Sequence, residues 1–101
     1  MKVFVYGTLR KGYNNHYLLK TSRYLCDTTT KGYKKDMGGI PAVDIRQEGI
    51  VEGEVYEIDD ETLKKLDLLE GHPTFYERKE VTLENGMVVW IYTMELKGEI
   101  K

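Results

Sequence analysis

The sequence predicts an α+β fold with more sheet than helix, its sheet closing in part toward a small barrel. Three observations predict it. One segment, residues 60–70, carries a strong helical period, with Leu63, Leu66 and Leu69 as apolar anchors. Asn85-Gly86 lies between two arms rich in Val, Thr, Trp and Tyr, the strongest hairpin signal in the chain. Several other runs are β-branched or aromatic, and few of their edges look protected by charge alone, which favours partial closure.

Each element has a local reason. Lys2 to Tyr6 is a short β-rich run stopped by Gly7, as expected of a buried first strand. Gly7 to Gly12 is a tight polar loop. Asn14 or Asn15 is placed to cap a short helix carrying Tyr17, Leu18 and Leu19. Arg23 to Tyr33, with Thr28, Thr29 and Thr30, favours strand. Gly38-Gly39-Ile40-Pro41 reads as a loop and Ala42 to Arg46 as a strand. Ile50 to Ile58 sets Val51, Val55 and Ile58 around Gly53, a central strand whose glycine permits close backbone approach. Asp59 or Asp60 caps the helix at its start, Gly71 takes the C′ position, and Pro73 prevents continuation. Tyr76 to Glu84 and Met87 to Glu95 are the hairpin arms.

Composition narrows the function. A chain of 101 residues suggests one domain over 1–101 with a single modest core. The net charge is −2, and the basic residues are scattered rather than striped, so nucleic acid is not an expected partner. The apolar N-terminal run is too short for a signal peptide or membrane span, and Cys26 is the only cysteine. These features point to a cytoplasmic protein without a membrane partner. His16 and His72 are far apart, so no metal site is expected. Oligomeric state is not readable.

Glu70 stands out because its helical position sets it against the core. It stacks one turn above Leu66 and two above Leu63, on the apolar side rather than with Lys64 and Lys65. It also lies at the negative end of the helix dipole. Both effects raise a carboxyl pKa, as a general base at neutral pH requires.

Two distant segments carry a family resemblance. Val3-Phe4-Val5-Tyr6-Gly7-Thr8-Leu9-Arg10-Lys11-Gly12 resembles the first strand and substrate loop of the γ-glutamylcyclotransferase-like (AIG2-like) family. Val51-Glu52-Gly53-Glu54-Val55-Tyr56, Leu66-Asp67 to Glu70-Gly71, and Tyr76-Glu77-Arg78 resemble its second half. The Glu-Gly-His-Pro stretch and the Tyr-x-Arg spacing are most similar to its γ-glutamylamine cyclotransferase branch. The resemblance implies a small mixed β-barrel flanked by short helices, and release of 5-oxoproline from γ-glutamyl amines or γ-glutamyl amino acids without cofactor or metal. It implies that Glu70 is the catalytic glutamate. It implies that the backbone of Tyr6, Gly7, Thr8 and Leu9 holds the γ-glutamyl group, with Tyr76, Arg78 and Tyr92 in support.

The implied chemistry suits these residue types. The substrate's α-amine attacks its own γ-carbonyl, so no Ser or Cys nucleophile is needed, and holding the attack geometry supplies much of the rate. A glutamate near pKa ~4.3 is a feeble base, whereas one tuned to ~6–7 is useful. Loop amides leaving a strand can converge on an anion or developing oxyanion, and Gly7 allows close approach. The ordinary alternatives are a solvated carboxylate for Glu70, a surface ion pair for Arg78 and core packing for Tyr76 and Tyr92. At the level of function, the alternative is a non-catalytic module that binds a small molecule or peptide end on the same fold.

Overall fold

The computed structural model describes residues 1–96; residues 97–101, the end of the expected domain, lie outside the described residues. Seven strands and one α-helix form in the order β1 (Lys2–Val5), β2 (Arg23–Lys31), β3 (Tyr33–Asp36), β4 (Pro41–Asp44), β5 (Ile50–Glu57), α1 (Asp60–Glu70), β6 (Glu77–Thr82) and β7 (Val88–Thr93). A 3-10 turn over His16–Leu19 follows the first loop. Five strands make one mixed sheet in the order β2-β5-β1-β7-β6, and β3 pairs with β4 in a separate hairpin. Only the β1–β7 pairing is parallel within the large sheet.

β1 occupies the middle, which explains its unbroken apolar sequence. A strand buried on both faces needs apolar residues at every position. Val3 and Val5 pack on one side with Tyr56, Leu66 and Tyr92. Phe4 and Tyr6 pack on the other with Val51, Val55, Val89 and Ile91. The neighbouring β5 can approach only because residue 53 is glycine. A Cβ there would stand 2.4 Å from the Val5 carbonyl oxygen and 2.6 Å from the Phe4 ring.

The expected barrel closure is not observed, since no ladder joins β2 to β6 among the described residues. The β6 edge is managed by charge instead. β6 presents Glu77, Arg78, Lys79 and Glu80 in succession, a polar run that resists adding another strand. The expected strand to Tyr33 ends at Lys31, and the chain turns at Gly32 into β3, which the polar sequence Lys34-Lys35-Asp36 had disguised. β4 begins at Pro41 rather than Ala42 and ends at Asp44.

Asp44 then locks this hairpin to the end of the sheet. Its fully buried carboxylate accepts from Arg46 Nε (3.0 Å) and Nη2 (2.8 Å), and from the Leu96 amide (2.9 Å). Arg46 foremost, against the opposing effect of burial, holds the Asp44 carboxyl well below the usual range. The Met94 amide also donates to the Val43 carbonyl (2.9 Å). The β3–β4 hairpin is thereby fixed beside the loop that follows β1.

Candidate active site

α1 begins as its sequence dictates. Asp59 is the N-cap, accepting from the Thr62 amide at 2.8 Å. Gly71 ends it with φ 67°, and its amide donates to the Asp67 and Leu68 carbonyls. The buried face is rotated slightly from expectation. Thr62 and Leu66 are buried, Leu63 is half-buried, and the expected anchor Leu69 is 42 % exposed. The inward line is therefore 62, 66 and 70, spaced by four. That rotation brings Glu70 onto the buried line and leaves Leu69 at the mouth of a cleft.

The cleft has a volume of about 280 Å³. Glu70, Tyr6, Gly7, Thr8, Leu9, Tyr76 and Tyr92 all line it. Thus all but one of the residues singled out from the sequence converge, although they come from the loop that follows β1, from α1, from the turn after α1 and from β7. Burial pushes the Glu70 carboxyl up from 4.5 to about 7. No other charged side chain lines the cleft among the described residues.

The first loop is braced from behind. Asn15, expected to cap the short helix, makes no side-chain cap bond there. Its Nδ2 instead donates to Thr8 Oγ1 (2.8 Å), and its amide donates to the Thr8 carbonyl (3.0 Å). His16 Nδ1 donates to the Leu9 carbonyl (2.8 Å), and Arg10 Nε to the Gly7 carbonyl (3.3 Å). The carbonyls are therefore occupied. The N–H groups of Gly7, Thr8 and Leu9 donate to no acceptor among the described residues. Gly7 allows a close approach, but of Pro41: a Cβ at residue 7 would lie 2.9 Å from Pro41 Cγ. The side chain of Leu9 is itself core.

The tyrosines form a frame. Tyr6 donates to the Tyr92 carbonyl (2.6 Å), Tyr76 to the Pro41 carbonyl, and Tyr92 to Asp67 Oδ1 (2.7 Å). Burial chiefly, with the nearby Glu70 charge among the lesser causes, raises all three hydroxyl pKa values, that of Tyr76 to about 12. All three stay neutral at working pH.

Arg78 does not line the cleft. It grips Asp67 through Nε (2.8 Å) and Nη2 (3.1 Å) and lies over the Trp90 ring, 4.4 Å from its centroid. Burial raises the Asp67 carboxyl pKa, but Arg78 and Tyr92 outweigh it and the net shift is downward. Asp67 is thus the link between Arg78 and Tyr92; it falls within a segment that carries the resemblance but was not singled out as a site residue. His72 accepts from the Arg78 amide (2.9 Å) in the turn after α1, and it does not line the cleft. Asn15, Ile40, Pro41, Leu69 and Phe75 also line the cleft without having been singled out as site residues. They come from turns, from the first residue of β4 and from the last turn of α1, where the period does not show which side chains reach the cleft.

No group of three or more His, Cys, Asp or Glu side chains among the described residues is placed to hold a metal ion. No helix among them is long and apolar enough to cross a membrane.

Comparison with known proteins places this geometry in context. Residues 3–101 match the model of the family described as gamma-glutamyl cyclotransferase, AIG2-like. A protein of Methanocaldococcus jannaschii, provisionally named a gamma-glutamylcyclotransferase, is 46 % identical over 98 residues, covering 89 % of this chain and 81 % of its own. The gamma-L-glutamyl-butirosin B gamma-glutamyl cyclotransferase of Niallia circulans is 43 % identical over 72 residues, covering 69 % of this chain and 46 % of its own. The crystal structure of an uncharacterized protein from Pyrococcus horikoshii superposes with a TM-score of 0.82 at 31 % identity, covering 96 % of this chain and 80 % of that one.

Proposed function

Because this chain belongs to the gamma-glutamyl cyclotransferase, AIG2-like family, we propose that it releases 5-oxoproline and a free amine from γ-glutamyl amines or γ-glutamyl amino acids, the amines being the preferred class. The observation that carries the reading is the pairing of Glu70, raised to about 7, with the unpartnered Gly7, Thr8 and Leu9 amides in one cleft. Each supports a different part of the same reaction.

The loop amides receive the γ-glutamyl group and hold it folded, its α-amine against its own γ-carbonyl. Glu70 takes the proton that the α-ammonium must lose. With a pKa near working pH it is ionised often enough to accept that proton and acidic enough to return it. The amine nitrogen forms a bond to the γ-carbonyl carbon, and negative charge develops on the carbonyl oxygen. Amide N–H groups facing that oxygen stabilise the tetrahedral species. Glu70 then returns its proton to the leaving nitrogen, the bond from the γ-carbonyl carbon to that nitrogen breaks, and the second proton of the attacking nitrogen passes by way of Glu70 to the released amine, which leaves the ring as 5-oxoproline. No electrons change hands and no external nucleophile is consumed, so the step calls for no cofactor.

Tyr76 and Tyr92 support the cleft wall, and Arg78 supports it indirectly by orienting Asp67 beneath Tyr92. The test is 5-oxoproline release from γ-glutamyl-ε-lysine and from γ-glutamyl amino acids. Glu70→Gln should abolish release while the protein stays folded. Undiminished turnover by that variant would overturn the role given to Glu70.

A further inference from the structure

A second cavity, of about 490 Å³, shares no lining residue with the cleft. The loop that follows β1 stands between them: of two neighbouring residues, Asn15 lines the cleft and His16 the second cavity. The floor of this cavity is one face of β2 and β5, carrying Tyr24, Asp27, Glu54 and Tyr56. A bulge makes that face. β2 slips register between Tyr24 and Cys26, so that Tyr24 pairs with Tyr56 and Asp27 with Glu54. In a regular strand Tyr24 and Asp27, three residues apart, would point to opposite sides of the sheet.

Two carboxylates thus stand directly opposite each other across the ladder, an arrangement that costs stability. Tyrosines orient them. Tyr24 donates to Asp27 Oδ1 (2.8 Å), and Tyr56 donates to Glu54 Oε1 (2.9 Å), which also accepts from the Lys11 amide (3.0 Å). The second oxygen of each carboxylate accepts from nothing among the described residues. The Tyr56 ring lies 5.6 Å from that of Tyr24 and 5.6 Å from that of His16, centroid to centroid. The side chains of Lys11 and Lys20 complete the lining with positive charge. None of these four charged side chains forms an ion pair among the described residues. Ser22 also lines the cavity, and its Oγ is the one buried side-chain nitrogen or oxygen among the described residues with no hydrogen-bond partner. A hydroxyl of that kind is completed by water or by a ligand.

We propose that this cavity binds a free α-amino acid, its ammonium between Asp27 and Glu54 and its carboxylate toward Lys11 and Lys20. The assignment does not depend on the reaction proposed for the cleft. The ammonium removes the repulsion between the two carboxylates and gains charge-assisted acceptors beside the tyrosine rings. A simple anion would meet the lysines but also both carboxylates. A diamine would meet the carboxylates but set its second ammonium among the lysines. A ligand carrying both charges a few bonds apart satisfies both halves of the lining.

The test uses the intact protein with L-alanine, L-leucine and L-phenylalanine, whose side chains add no third charge. Binding is followed by titration calorimetry and by amide chemical shifts. At least one of the three should saturate with a Kd of about 1 mM or tighter. Its shifts should gather at Lys11, Tyr24, Asp27 and Glu54 and spare Glu70 and Tyr76. The corresponding amino-acid amide, which lacks the carboxylate, and the N-acetyl derivative, which lacks the ammonium, should each bind at least about tenfold more weakly. Asp27→Asn and Glu54→Gln should each weaken the amino acid at least about tenfold. Lys20→Gln should weaken the amino acid and leave its amide unchanged. The comparison of amino acid, amide and N-acetyl derivative on the unaltered protein decides the matter if a variant fails to fold. Saturation by none of the three amino acids, equal binding of the amide or N-acetyl derivative, or shifts gathered at Glu70 and Tyr76 would overturn the assignment.

Discussion

Glu70→Gln should stabilise the folded protein above neutral pH while removing its activity. Burial lifts this carboxyl from 4.5 to about 7. Between those values the folded state holds a proton that the unfolded chain has released. Stability therefore falls as pH rises through that window and levels off above it. A difference of about 2.5 pH units corresponds to about 3 kcal/mol at about 1.4 kcal/mol per unit. Water at the cleft mouth screens part of this, so a gain of about 1–3 kcal/mol is expected at pH 8. Glutamine has the same length and no charge to desolvate. For a domain of this size each kcal/mol raises Tm by about 4–8 °C. The assay is urea or thermal unfolding of both proteins at pH 4, 5, 6, 7 and 8. The two should coincide at pH 4 and diverge steadily up to pH 7. A gap that is independent of pH, or a variant less stable than wild type at pH 8, would refute the claim that burial raises this group.

Other perturbations test the frame around it. Gly53→Ala should destabilise by about 3 kcal/mol or prevent folding, because its Cβ would meet the Val5 carbonyl and the Phe4 ring; denaturant unfolding or expression yield checks this. Arg78→Ala leaves Asp67 half-buried without its cation and should cost about 2–3 kcal/mol by urea unfolding. Arg78→Lys should recover only part of that loss, since lysine restores charge but neither the two-pronged contact nor the stacking on Trp90. Asp44→Asn should lose about 2 kcal/mol at pH 7. Asp44 has a lowered folded pKa, so its contribution is present above 3.8 and is lost as pH falls through the folded value. The gap between Asp44→Asn and wild type should therefore close below about pH 4 in acid unfolding.

The hairpin was legible because its turn is local. Asn85-Gly86 forms it, with the Met87 amide bound to Asn85 Oδ1 at 3.0 Å, and pairing runs from Glu77–Thr93 to Thr82–Val88. The helix was equally legible, from its cap, its terminal glycine and its period. β3 was not, because Lys34, Lys35 and Asp36 lie on an exposed ribbon where no apolar alternation is required. Glu70 was readable because helical geometry carries a side chain's direction over several residues. Leu69 was misread because one residue's rotation separates the buried line from the rim. Ile40 and Phe75 depend on how distant turns meet, and Asp67 acts through partners 11 and 25 residues away. Spacing within one element contains none of that.

The tyrosine frame has a consequence for how a proton can travel. A phenol has one hydrogen to donate, and Tyr6, Tyr76 and Tyr92 have each committed theirs to an acceptor in the protein. No chain of hydroxyls leads from Glu70 to solvent through them. In the proposed reaction, a proton lifted from one end of the substrate waits on the carboxyl and leaves with the other end, or escapes through water at the mouth. The frame works as insulation: in the proposed reaction it makes the glutamate a shuttle between two nitrogens, with no wire attached.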